Sequence, residues 1–98
     1  VRDEAEAVHL ANATSYGLGA SVLTADPEHG RKVAAQIESG MVFVNRPFGT
    51  APNLPFGGVK NSGFGRELSE AGFEEFVNKK LVNVEPAGTH PFAPVAAA

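Results

Sequence analysis

Apolar and polar positions follow three rhythms along this chain. From Asp3 to Asn12, Ala5, Val8 and His9 with Asn12 recur at helical spacing, and Asp3, Glu4 and Glu6 stand at the end where a helix dipole favours acids. This predicts a helix with a cap upstream or a ragged start, ended by Ser15-Tyr16-Gly17. Leu18 to Thr24 is too brief for a helix and, with Val22 and Leu23, apolar enough for a strand. Asp26-Pro27-Glu28 then opens a second helix: Asp26 can cap free N–H groups, Pro27 suits the first helical position, and Glu28 suits the dipole. Arg31, Val33, Ala34 and Ile37 carry it on, and Gly40 is expected to stop it. Gly30 lies inside, at a cost of about 1 kcal/mol relative to alanine. Met41 to Asn45 reads as a buried strand. Strand, helix and strand in close succession predict an α/β fold built on a right-handed parallel βαβ unit.

The rhythm then breaks. Residues 46–68 hold Pro47, Pro52 and Pro55, Gly49, Gly57, Gly58, Gly63 and Gly65, and three phenylalanines, Phe48, Phe56 and Phe64. A loop this long is rare inside a compact domain unless it is functional. Solvated linkers seldom carry so many aromatics, so the loop packs against something. Ser69 to Val77 regains helical spacing, with Ser69 as the expected N-cap and Phe73, Phe76 and Val77 as the apolar stripe. Lys80 to Val84 reads as a strand. Pro86 to Ala98 is proline- and alanine-rich and reads as a mobile tail.

Ninety-eight residues make one small domain with a modest core. A formal charge of −3 leaves no electrostatic footprint for nucleic acid or an anionic membrane. No apolar run approaches a membrane span, and Arg2, Asp3, Glu4 and Glu6 interrupt any leader-like start. There are no cysteines, hence no disulfide, no cysteine zinc site and no thiol nucleophile. The chain starts at Val1 and its single methionine is Met41, so it reads as trimmed or as a fragment of something longer.

Few residues offer chemistry. His9, His29 and His90 lack metal-ligand spacing and read as surface histidines. Ser62 is not in a nucleophile elbow. Gly63-Phe64-Gly65-Arg66-Glu67-Leu68 has two glycines of the dinucleotide fingerprint, but it follows a loop and has Leu68 at the third glycine position, so it is rejected as a phosphate cradle. Arg66 and Glu67 read as structural, and Lys60 as an anchor for the glycine loop. Pro55-Phe56-Gly57-Gly58 has two open readings. One is a tight turn around a buried aromatic, which the residues alone favour. The other is an apolar wall that meets a substrate.

At this motif a resemblance enters. Leu54-Pro55-Phe56-Gly57-Gly58-Val59-Lys60-Asn61-Ser62-Gly63-Phe64-Gly65-Arg66-Glu67 resembles the C-terminal signature of the aldehyde dehydrogenase superfamily. Leu10-Ala11-Asn12 with Tyr16 to Val22, then Ser39 to Asn45, then Glu74 to Lys80 resemble further segments of that family in the same order, over residues 3–85. The loop from Asn45 to Phe56 looks most like succinate-semialdehyde dehydrogenases. The resemblance implies NAD(P)-dependent oxidation of a small aldehyde, with succinate semialdehyde as the candidate, to a carboxylate. It puts the catalytic cysteine, the water-activating glutamate and the NAD or NADP fold upstream, in the remainder of the same enzyme. It also implies a cytoplasmic enzyme.

The resemblance divides the chain into the end of a catalytic domain (1–78), an oligomerisation strand (79–85) and a tail (86–98). It makes Phe56 a substrate-tunnel wall, with Phe48 and Thr50 as further substrate-binding candidates and Arg46 as an anion partner. Many relatives carry glutamate where Asn78 stands, paired with the arginine matching Arg66, which puts an interface role for Arg66 in doubt. Lys80 to Val84 has no hairpin partner in this chain, and the matching strand joins a neighbouring subunit, so a homo-oligomer is expected. The alternative is a non-catalytic oligomerisation or interaction module.

Overall fold

The computed structural model describes residues 1–88, so the tail expected over 86–98 falls, from residue 89 onward, outside the described residues. Helix α1 spans Glu4–Asn12. Its cap is Asp3 itself rather than a residue upstream: the Asp3 carboxylate accepts the Glu6 N–H at 2.8 Å. Helix α2 spans Pro27–Ala34, and Asp26 caps it by accepting from the N–H groups of Glu28 and His29 at 2.9 and 3.2 Å. This helix ends before Gly40. Its last turn tightens, with the Gln36 N–H on the Val33 carbonyl and the Ile37 N–H on the Ala34 carbonyl. Gly40 is therefore not the helix stop; it lets another backbone come close, as described below.

Tyr16–Gly17, expected only to end the first helix, form strand β1, and the strand expected over Leu18 to Thr24 is the shorter β2, Gly19–Val22; the two part at Leu18 because they join different partners. Strand β3 is Met41–Val44, and β2 runs parallel to it, with Gly19 opposite Met41 and Val22 opposite Val44. Helix α2 is the connection between them and packs on both. Strand β1 pairs antiparallel with β4, Val59–Lys60, inside the long loop. The cost of Gly30 now has a cause. A Cβ there would stand 2.7 Å from Val44 Cγ1 and 2.8 Å from Thr24 Cγ2, so only glycine lets α2 lie this close to the sheet.

Helix α3 covers Ser69–Glu74, shorter than the expected Ser69 to Val77. Leu68, not Ser69, occupies the cap position, with φ 61° and no side-chain bond to the helix. Ser69 also has positive φ, and its hydroxyl accepts the Ala71 N–H at 3.3 Å. Lys80 to Val84 joins no ladder among the described residues.

Met41 is the one buried hydrophobic side chain among the described residues, while Phe64, Phe76 and Leu81 are at least 90% exposed. A chain with so little interior obtains little hydrophobic stabilisation by itself.

Candidate functional site

The loop of residues 46–68 folds back on the sheet, held by anchors within it and by others to β1, α1 and the approach to β3. Phe56 and Glu67 exchange both backbone hydrogen bonds, at 2.8 and 2.7 Å, as an isolated antiparallel bridge. Between them, the Arg66 guanidinium donates to the carbonyls of Gly58 and Gly65 at 3.0 and 2.6 Å. Ser62 Oγ accepts the Gly17 N–H at 3.0 Å and so joins the loop to β1. Lys60 donates to the Asn12 and Thr14 carbonyls at the end of α1 and pairs with Glu38 at 2.7 Å. Its anchoring role is thus to α1 and to the approach to β3. At the far end, the Ser69 N–H donates to the Pro52 carbonyl, tying the start of α3 to the segment after Thr50.

Non-glycine residues with positive φ frame this loop. Among the described residues they are Asn45 just before it, Lys60 within it, and Leu68 and Ser69 at its end. Each such residue costs on the order of 1–3 kcal/mol and persists only where its surroundings hold it. Asn45 has a second use: its side-chain oxygen accepts the Thr24 N–H at 2.8 Å, adding a rung beyond the last β2–β3 pair.

The three substrate-binding candidates do not meet in one cavity. Phe48 lies over Gly19, where a Cβ would stand 3.1 Å from its ring, and lines a cavity of about 280 Å³ with Gly17, Leu18, Ile37 and Ser62. Phe56 lines a smaller cavity of about 140 Å³ with Leu18, Ser62, Phe64 and Arg66. Leu18 and Ser62 border both, so they form the partition between the two aromatics. Thr50 is exposed on the stretch between Phe48 and Phe56. Arg46 rests over the Phe43 ring, 5.1 Å from its centroid, in cation–π contact.

Other charged groups are structural. His29 Nε2 meets the Glu4 carboxylate at 2.5 Å, joining α2 to α1, while His90 lies outside the described residues. Arg2 holds the Glu6 carboxyl below the ordinary carboxylate range, first through its backbone N–H at 2.6 Å and then through its guanidinium. No set of three metal-ligating side chains converges among the described residues. No helix there is long and apolar enough to cross a membrane.

The residues present do not fit a nicotinamide dinucleotide. Gly63 and Gly65 have positive φ, but Phe64 between them is fully exposed. The Arg66 guanidinium is already committed to two carbonyls. The next helix starts only at Ser69, and the adjoining cavity of about 140 Å³ is below the range of about 300–1,000 Å³ usual for such ligands.

Sequence reasoning missed Asn12. Its Nδ2 donates to the Gln36 carbonyl and its Oδ1 accepts the Glu38 N–H, both at 2.8 Å. The signal was an asparagine at the exit of a helix, which patterns of apolar residues do not weigh. Ser62 was considered only as a nucleophile, whereas it is the joint between loop and sheet.

Residues 1–82 match the profile of the aldehyde dehydrogenase family. A succinate-semialdehyde dehydrogenase [NADP(+)] of Deinococcus radiodurans is 54% identical over 91 residues, covering 93% of this chain and 19% of that protein. The crystal structure of succinic semialdehyde dehydrogenase from Streptococcus pyogenes, in complex with NADP+, superposes with a TM-score of 0.82 at 50% identity, covering 86% of this chain and 18% of that one. An NAD-dependent aldehyde dehydrogenase from Sinorhizobium meliloti gives a TM-score of 0.85 at 39% identity, over 94% and 18%. The chain thus spans about a fifth of the length of these relatives.

Proposed function

The chain belongs to the aldehyde dehydrogenase family, and from that premise we propose that it forms the C-terminal part of a cytoplasmic, NADP-dependent enzyme that oxidises succinate semialdehyde to the dicarboxylate. The observation that carries this reading is agreement at half or more of the aligned positions with proteins named for that activity.

The division of labour follows from the residues present. Oxidising an aldehyde to an acid requires a nucleophile to hold the carbonyl carbon and an acceptor for its hydride. This chain has no cysteine and no fitting cradle for the dinucleotide, so both belong to the remainder of the same enzyme. What it contributes is shape. Phe56 and Phe48 stand as two apolar surfaces, one on each side of Leu18 and Ser62, against which a short carbon chain can lie. The Thr50 hydroxyl and the Arg46 guanidinium, both exposed near them in sequence, are the groups assigned to the distal carboxylate.

The uncovered apolar side chains of α3 and of residues 76–84 support the rest of the reading. They are assigned to contacts with the remainder of the enzyme and, through Lys80 to Val84, with a second copy of it.

The test is steady-state kinetics on the full-length enzyme. Succinate semialdehyde, betaine aldehyde and salicylaldehyde are compared, each with NADP+ and with NAD+. The reading expects the highest kcat/KM for succinate semialdehyde with NADP+. A preference for either neutral or cationic competitor would remove the carboxylate-binding role from this loop.

A further inference from the structure

Arg66 does more than fill space. Its Nη1 bonds two carbonyls on opposite sides of one turn, Gly58 and Gly65. Its stem lies so close to Gly57 that a Cβ there would stand 2.9 Å from Arg66 Cδ. Phe56 and Glu67, the residues just outside this clamp, complete it with their paired backbone bonds. From the other direction, the Glu75 carboxylate at the end of α3 accepts the Arg66 N–H at 3.1 Å. The turn is thus closed at its base by a side chain and held to α3 by a second one.

We infer that Arg66 is a positioning residue for the aldehyde substrate, acting through Phe56. The two carbonyl bonds fix the turn of residues 57–66, the turn fixes the Phe56 backbone, and the backbone sets where the ring stands in its cavity. The inference rests on the assignment of Phe56 as a wall. A guanidinium is planar and carries several fixed donors, so one group serves two carbonyls in a defined geometry. A lysine ammonium carries three donors, but it ends where the Arg66 Cζ stands, one bond short of Nη1, and so does not reach both carbonyls from this backbone position. Lysine at this position therefore keeps charge and bulk and loses the clamp.

The experiment is a double-mutant cycle on the full-length enzyme with Arg66→Lys, Phe56→Ala and the double variant, using whichever aldehyde of a mixed panel the wild type oxidises fastest. Arg66→Lys is expected to raise KM about fivefold or more with kcat within about twofold, because the clamp shapes the wall and not the reacting atoms. In the Phe56→Ala background the same change should have little further effect, since both act on one contact. Hydrogen exchange at the Phe56 and Glu67 amides should be faster in Arg66→Lys than in the wild type. A wild-type KM in Arg66→Lys, or additive effects across the cycle, would overturn the positioning role. A wild type that prefers another aldehyde to succinate semialdehyde would overturn the substrate assignment above and leave the cycle to decide on Arg66.

Discussion

Gly40 and Gly57 touch backbone to backbone: a Cβ on Gly40 would lie 1.9 Å from the Gly57 carbonyl oxygen and 2.7 Å from the Gly58 α-carbon. The first residue precedes β3 and the second lies in the turn after Phe56, so this contact sets the distance between sheet and loop. Gly40→Ala should force the two apart and lower the stability of the full-length enzyme by about 1–3 kcal/mol, the range for forced overpacking. Gly49→Ala is the control, because nothing lies within 4 Å of a Cβ there. Equal thermal midpoints for the two variants would refute the contact.

Phe56→Ala should lower kcat/KM by about 1–3 kcal/mol of transition-state stabilisation, the scale of one apolar pocket contact. Initial-rate kinetics on the full-length enzyme measure it. Unchanged kinetics at unchanged stability would make Phe56 a bystander.

The cap of α2 should be worth its ordinary amount. Asp26 satisfies two N–H groups at once, and Asp26→Ala removes both bonds. A loss of about 0.5–2 kcal/mol in denaturant unfolding is expected. Asp26→Asn, which keeps the acceptor, should recover most of it, and a shared deficit in the two variants would show that the bonds are not the source.

Truncation of the full-length enzyme after Asn78 should shift it toward smaller assemblies in light scattering. The segment removed includes Lys80 to Val84, which has no strand partner among the described residues, and an open edge is what another edge completes. Native mass in the truncated enzyme would count against this segment as the assembly element.

The 98-residue chain incubated alone with NADP+ and succinate semialdehyde should not reduce the nicotinamide, since it has no cysteine to hold the aldehyde. Absorbance of the reduced cofactor reads this directly, and turnover above a buffer blank would place a nucleophile in this chain after all.

What was legible in the sequence was local. Asp26-Pro27-Glu28 names its own helix start, because cap and dipole act within one turn. Met41 to Val44 is apolar throughout and forms a strand wherever it finds a partner. The misreadings came from partners distant in the chain. Leu18 divides two strands because Gly17 pairs with Val59 while Gly19 pairs with Met41, and no pattern within residues 18–24 contains that. Gly40 looks like a helix stop and is a close-approach residue, since its neighbour Gly57 is far along the chain. Ser69 has the chemistry of a cap, yet the helix begins at Ser69 itself with Leu68 before it, and the Ser69 N–H is held by the Pro52 carbonyl, a partner distant in the chain. At the candidate site, the aromatic loop could be read as packed, but not that Leu18 and Ser62 would stand between Phe48 and Phe56.

The joint made by Asn12 depends on its side chain remaining an amide. Its amide gives a hydrogen to the Gln36 carbonyl and takes one from the Glu38 N–H. Hydrolysis of that amide would release ammonia and leave a carboxylate. One oxygen would still accept from Glu38, but the other would face the Gln36 carbonyl with no hydrogen to offer, and attraction would become repulsion. The joint between the first helix and the sheet would then weaken with no change in the gene, and a mass increase of one unit at Asn12 would record it.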